Sequence, residues 1–131
     1  MKTISLITLT LFGIACFNYQ KQSNFLPIEI VNKSNFNVDT FYFILNNYER
    51  YVYDIKEGDS ILLNINKDSI KTYRDLSLDT WARFHITNEM RLLKRQVHHD
   101  DIGGTIDEKY TITFKKDTSI DIRPQFRYIS N

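Results

Sequence analysis

A single cysteine, Cys16, is all the thiol chemistry in this 131-residue chain. No intrachain disulfide can form, so packing alone must hold the folded part together. Charge of one sign is missing too. Lys and Arg number 17 against 16 Asp and Glu, and removing residues 1–15 takes away only Lys2, which leaves the remainder neutral. Nucleic-acid binding needs clustered cations to displace counterions from phosphates, so DNA and RNA are excluded as partners. The apolar stretch at residues 3–15, which carries no charge, falls short of the about 20 residues that a permanent membrane-spanning helix needs. The chain has no internal repeat, no low-complexity tract and no length for a second domain, so one domain is expected. What is present favours strands. Aromatic residues make up 14% of the sequence, enough large side chains to fill a core and to populate a pleated sheet. Charged residues at 25% argue against disorder.

The amino terminus has its own logic. Met1-Lys2 is a short positive start, and Thr3 to Ala15 carries no charge, which is the length and flanking pattern of a signal-peptide core. Two cleavage chemistries fit its end. Gly13-Ile14-Ala15 satisfies the small-x-small rule of ordinary signal peptidase. Gly13-Ile14-Ala15-Cys16 also resembles the lipobox of bacterial lipoproteins, in which the cysteine accepts a diacylglyceryl group and becomes the new amino terminus. The resemblance covers only these first residues. It implies residues 1–15 as a signal peptide, a lipid on Cys16, and attachment to a bacterial membrane facing the periplasm or the exterior. The position of the only cysteine favours this second chemistry. Residues 16–24 then form the lipidated cysteine and a polar tether, and the eight residues 17–24 reach at most about 28 Å when extended.

From Phe25 onward the apolar residues alternate with a period of two. Segments at Ile28–Val31, Val38–Leu45, Tyr51–Ile55, Ser60–Ile65, Trp81–Thr87, Met90–Val97, Tyr110–Phe114 and Ser119–Arg123 read as strands. Asn46-Asn47, Lys56-Glu57-Gly58-Asp59, Asn88-Glu89 and Lys115-Lys116-Asp117 read as turns. Tyr51, Tyr53 and Ile55 are expected on one face. Pro27 is expected at a strand start and Pro124 at a strand end. Ile70, Tyr73 and Leu76 recur every three residues, which suits a short helix or a crossover near 68–78. About eight short strands over residues 25–131 predict an all-β fold, a single β-sandwich of immunoglobulin-like or transthyretin-like arrangement.

Three groups of residues invite chemistry. Gly58-Asp59-Ser60-Ile61 resembles the block around the nucleophile of the GDSL esterases, but that family implies an Asp-x-x-His pair, and no histidine here has an aspartate three residues before it. Without a base the hydroxyl is inert, so no enzyme is expected. His98-His99-Asp100-Asp101, followed by Gly103-Gly104 and Asp107-Glu108, is the densest ligand cluster. A Gly-rich loop would gather these residues, and His85 from a neighbouring strand would add a third nitrogen for zinc or copper, while the oxygens of Asp100, Asp101, Asp107 and Glu108 would suit calcium at a spacing that is not that of an EF-hand. Solvated loops collect the same residue types, so no metal or cofactor is assigned. Tyr48, Tyr51, Tyr53 and Trp81, with Arg83 and His85 beside Trp81, are candidates for a surface that receives sugar rings or a partner protein.

These readings converge on a membrane-tethered accessory lipoprotein of the cell envelope that binds an envelope protein and catalyses nothing. A periplasmic carbohydrate- or metal-binding module and an immunity or inhibitor lipoprotein are the alternatives. Metabolic labelling with a palmitate analogue tests the anchor: wild type is expected to incorporate label and Cys16→Ala to lose it, and equal labelling of both, or none, removes the anchor.

Overall fold

The computed structural model describes residues 24–70, 75–101 and 108–126. The expected signal peptide, Cys16 and most of the tether lie outside these residues, as do Gly103, Gly104 and Asp107. Eight strands run in chain order as β1 (Phe25–Asn32), β2 (Asn37–Leu45), β3 (Tyr48–Ile55), β4 (Ser60–Asn66), β5 (Asp75–His85), β6 (Arg91–Asp101), β7 (Glu108–Phe114) and β8 (Ile120–Phe126). They form two four-stranded sheets, ordered β4-β1-β7-β8 and β3-β2-β5-β6. Every pairing is antiparallel except β1 with β7. The protein is a β-sandwich. An immunoglobulin sandwich pairs its first and second strands within one sheet. Here β1 and β2 belong to different sheets, which leaves the transthyretin-like arrangement of the two expected.

Alternation explains the core. Leu26, Ile28 and Ile30 of β1 face inward with Tyr110, Ile112 and Phe114 of β7. Phe41, Phe43 and Leu45 of β2 face them from the other sheet together with Leu78, Ala82 and Phe84 of β5. Phe114 joins the layers: its ring meets Phe41 edge-on at 5.2 Å and Phe84 at 5.6 Å, the geometry that aromatic quadrupoles favour.

Several local expectations are corrected. Ile55 does not share a face with Tyr51 and Tyr53: Asp54 takes a left-handed φ of 54°, which reverses the alternation and turns Ile55 into the core while both tyrosines stay outside. Of the stretch near 68–78, residues 71–74 lie outside the described residues; a 3-10 turn covers Lys67–Ser69, capped by the Asn66 side chain, β5 begins at Asp75, and β4 and β5 belong to different sheets, as the crossover reading expected. Pro124 does not end β8, which continues to Phe126. β8 is an edge strand, and a proline is tolerated there because one side of the ladder has no partner. Pro27 sits inside β1, yet the β7 ladder starts only at Ile28. His98–Asp101 is not a loop but the last stretch of β6, paired with β5.

The two sheets are tied at one corner by Asn32, the last residue of β1, which is fully buried. Its Nδ2 donates to the carbonyl oxygens of Phe36 at 2.9 Å and of Ile55, in the opposite sheet, at 3.1 Å. Its Oδ1 accepts from the Ser34 amide at 3.0 Å and from the Ser34 hydroxyl at 2.6 Å. Both donors and both lone pairs of the amide are used. An alanine here leaves several buried groups without partners, each worth about 1–3 kcal/mol. Asn32→Ala is therefore expected to lower the unfolding free energy by about 3 kcal/mol in urea titration; a loss below about 0.5 kcal/mol, the range of ordinary surface changes, contradicts this role.

Candidate functional site

The outer face of the β3-β2-β5-β6 sheet carries the candidate site. Register decides its composition. Tyr51 on β3 lies opposite Tyr42 on β2, Tyr42 opposite Trp81 on β5, and Trp81 opposite Arg95 on β6. One row across all four strands therefore consists of three aromatic rings and a guanidinium. Tyr51 and Tyr42 stack at 4.3 Å with a 26° tilt, and Tyr42 and Trp81 at 5.3 Å with 29°. The Arg95 guanidinium carbon lies 4.9 Å from the Trp81 ring centre, within cation–π range.

Polar contacts at two of its members hold the row. Tyr42 donates its hydroxyl to Glu49 at 2.6 Å. This bond, reinforced by burial, pushes the Tyr42 phenol from the usual 10 up to about 12. Arg95 is gripped by both oxygens of Asp79, at 3.0 and 2.5 Å, a bidentate pair that fixes the guanidinium beside the ring. The same aspartate raises the Arg95 pKa. Flanking rows add apolar surface. Tyr53, Thr40, Arg83 and Leu93 form one, and Glu49, Ile44, Asp79 and Val97 the other. Tyr51 is 52% exposed, Tyr53 62% and Leu93 65%, a concentration of large apolar side chains in water that ordinary surface sites avoid.

One end of the face is an ionic cluster built by a β-bulge. Val38 pairs with Phe84 and Thr40 with Arg83, so Asp39 is the extra residue, and bulges of this kind re-aim a side chain. Its carboxylate meets Arg91 Nε at 2.5 Å, His85 Nδ1 at 3.3 Å and Arg83 Nε at 4.0 Å. Burial pulls the Asp39 pKa upward, but the Arg91 and His85 contacts outweigh it and hold the carboxyl below its ordinary range. Arg83 also donates to the Thr40 hydroxyl at 3.0 Å.

The structure thus brings Tyr51, Tyr53, Trp81, Arg83 and His85 onto one face, as alternation alone predicted for each strand. Tyr48 does not join them. It stands three residues before Tyr51, hence on the opposite side, with its ring 6.4 Å from Phe43 of the core. Sequence reading missed Tyr42, Arg95, Asp39, Leu93 and Val97 as members; only pairing register reveals them. The metal cluster does not assemble around His85. His98 points inward, edge-on to Tyr110 at 6.1 Å, whereas His99 lies opposite Ser77 on the outer face. His98 pairs with Leu78, seven residues from His85 on the same strand, a separation of about 23 Å. His85 cannot supply a third nitrogen over that distance. The side chains of Asp100, Asp101 and Glu108 lie outside the described residues, among which no group of three or more metal-ligating side chains occurs. Ser60 ends its turn with its hydroxyl on Glu29 at 3.2 Å; no imidazole attends it among the described contacts.

No family model matches the chain, and no curated protein matches it. Among solved structures, the NMR structure of a protein from Eubacterium rectale is similar over 82% of this chain and 95% of that one, with a TM-score of 0.49 and 14% identity.

The Tyr42–Glu49 bond has a pH signature. A phenol with a raised pKa contributes its stabilisation fully below the ordinary tyrosine range, and that contribution fades as pH rises through about 12. In a spectrophotometric tyrosine titration, Glu49→Gln is expected to move one late-ionising tyrosine back toward 10, the ordinary value for the group; an unchanged titration curve means that the bond is absent in solution.

Proposed function

We propose that this chain is a membrane-tethered accessory protein of the bacterial cell envelope, held by a lipid on Cys16, that binds another envelope protein through the outer face of the β3-β2-β5-β6 sheet and catalyses no reaction. One observation supports the protein-binding reading above the others: the row Tyr51–Tyr42–Trp81–Arg95 on the outer face, with Tyr51 and Arg95 exposed and Tyr42 and Trp81 half-buried. Tyr, Trp and Arg are the residues in which protein interfaces concentrate their binding energy. They combine large apolar area with polar edges and little entropy to lose. In this row the residues are already fixed against each other, so less ordering remains to be done when a partner arrives.

The stacking also favours a protein over a carbohydrate as the partner. A sugar stacks on an open ring face. Here both faces of Tyr42 are covered by Tyr51 and Trp81, and Trp81 is covered by Tyr42 on one side and Arg95 on the other. What Tyr42 and Trp81 offer to solvent is ring edges, and the row adds the guanidinium and the half-exposed ring of Tyr51. Those groups suit the mixed polar and apolar surface of a protein. The same arrangement leaves room for the immunity or inhibitor role, in which the bound protein is a toxin or a hydrolase of the envelope.

A photo-crosslinking amino acid at Leu93, exposed on this face but outside the stack, tests the proposal in cells. It is expected to trap a protein partner, and Tyr51→Ala is expected to weaken capture by roughly 30-fold, the effect of a hot-spot loss of about 2 kcal/mol. Capture from positions on the β4-β1-β7-β8 sheet instead, with none from Leu93, contradicts it.

A further inference from the structure

Among the described residues the sandwich has four terminal strands, β3, β6, β4 and β8, and three of them carry devices that discourage pairing with another chain. β3 holds Glu49, Arg50 and Asp54, and Asp54 breaks the regular backbone with its φ of 54°. β6 holds Arg91, Lys94 and Arg95. β8 holds Asp121, Arg123 and Pro124. The fourth, β4, reads Ser60-Ile61-Leu62-Leu63-Asn64-Ile65-Asn66. It contains no charge, no proline, no glycine and no left-handed residue, which is the composition that pairs readily with a like strand. Leu62 is 59% exposed, and Ile61 and Leu63, which face the core, are only half-buried.

We propose that the free edge of β4 pairs antiparallel with β4 of a second copy of this chain, about a two-fold axis through Leu63. This inference is independent of the aromatic face and of its partner. The backbone sets the register. The Asn32 amide donates to Asp59 and the Gly58 amide to the Asn32 carbonyl, so even-numbered residues of β1 point their hydrogen-bonding groups at β4. Lys33 donates the other way, to Phe114 of β7. With Ile30 opposite Ile61, Ile28 opposite Leu63 and Leu26 opposite Ile65, the odd residues of β4 bond to β1. Ser60, Leu62, Asn64 and Asn66 therefore aim their amides and carbonyls outward.

Pairing about Leu63 uses all four. Leu62 meets Asn64 of the second copy and Ser60 meets Asn66, each pair exchanging both bonds, as directly opposed residues in an antiparallel ladder do. The intervening positions are the closer, non-hydrogen-bonded pairs: Leu63 meets Leu63, and Ile61 meets Ile65. Two half-covered core residues thus gain a neighbour of the same kind, and the inner layer continues from one copy into the next. No like charges face each other. A second copy is favoured over an unrelated strand because this one segment is complementary to itself in bonds, shape and charge, and because the two-fold closes the pair without leaving a new edge.

Light scattering of the full-length chain in mild detergent, over a wide concentration range, tests the pairing. The wild type is expected to double in mass as concentration rises. Asn64→Pro deletes only an outward-facing amide, and Leu62→Lys leaves the backbone alone but installs the charge that the other edges carry; each is expected to stay monomeric. A circular-dichroism melt shows whether Asn64→Pro remains folded, and if it does not, Leu62→Lys decides. Leu63→Cys places two thiols across a non-hydrogen-bonded pair, about 4.5 Å apart between Cα atoms, within disulfide range. It is expected to give a covalent dimer on a non-reducing gel, whereas Ser60→Cys, which then faces Asn66, is not. A wild type that stays monomeric with no Leu63→Cys crosslink, a dimer that survives both edge variants, or crosslinking of Leu63→Cys to a different protein overturns the proposal.

Discussion

Two sheets packed face to face need a fixed relation to one another, and here one saturated amide supplies it. Asn32 ends β1 at the corner where the chain leaves one sheet for the other, and its side chain reaches across to the last residue of β3. Its main chain closes the β3–β4 turn through Gly58 and Asp59 at 2.9 Å each. Burying such a group is costly unless every lone pair and proton is used. Since all are, the corner has one low-energy arrangement. The aromatic contacts of Phe114 with Phe41 and Phe84 then set the separation of the layers in a chain with no disulfide to help.

That constraint propagates outward to the aromatic face. Ile55 must turn inward at the Asn32 corner, and the left-handed Asp54 is the local device that permits it while Tyr53 and Tyr51 stay in solvent. On the neighbouring strand the extra residue at Asp39 makes a matching change of alternation, so that Val38 and Phe41 are both buried. With those two irregularities in place, Tyr51, Tyr42, Trp81 and Arg95 fall on one row. A slip of one residue in any of the four strands replaces its member of the row with a residue of the opposite face. The face is therefore a product of the fold's corner as much as of its own side chains.

The strands themselves were legible in the sequence wherever alternation was clean. Phe41, Phe43 and Leu45 inward, and Trp81, Arg83 and His85 outward, follow from period two alone. The irregular points were not legible. Asp39 and Asp54 look like ordinary strand residues, because the parity change they cause lies in backbone angles and not in residue type. Pro124 reads as a terminator unless the strand is known to be an edge. Tyr42 and Arg95 were hidden for another reason: each stood in a strand whose partners only tertiary register identifies. His98–Asp101 read as a ligand loop because its composition is loop-like, yet pairing with β5 overrode that tendency, and strand preferences bend to context of this kind.

As proposed, the protein waits at a membrane and presents its aromatic face to a neighbour. The most direct measurement of that idea is hydroxyl-radical footprinting of the chain in intact cells, compared with the purified protein. The account predicts that Tyr51, Tyr53 and Leu93 are shielded in the envelope and become reactive after purification, while the outward residues of β1 and β7 react alike in both. Equal oxidation of the aromatic face in the two settings would contradict it.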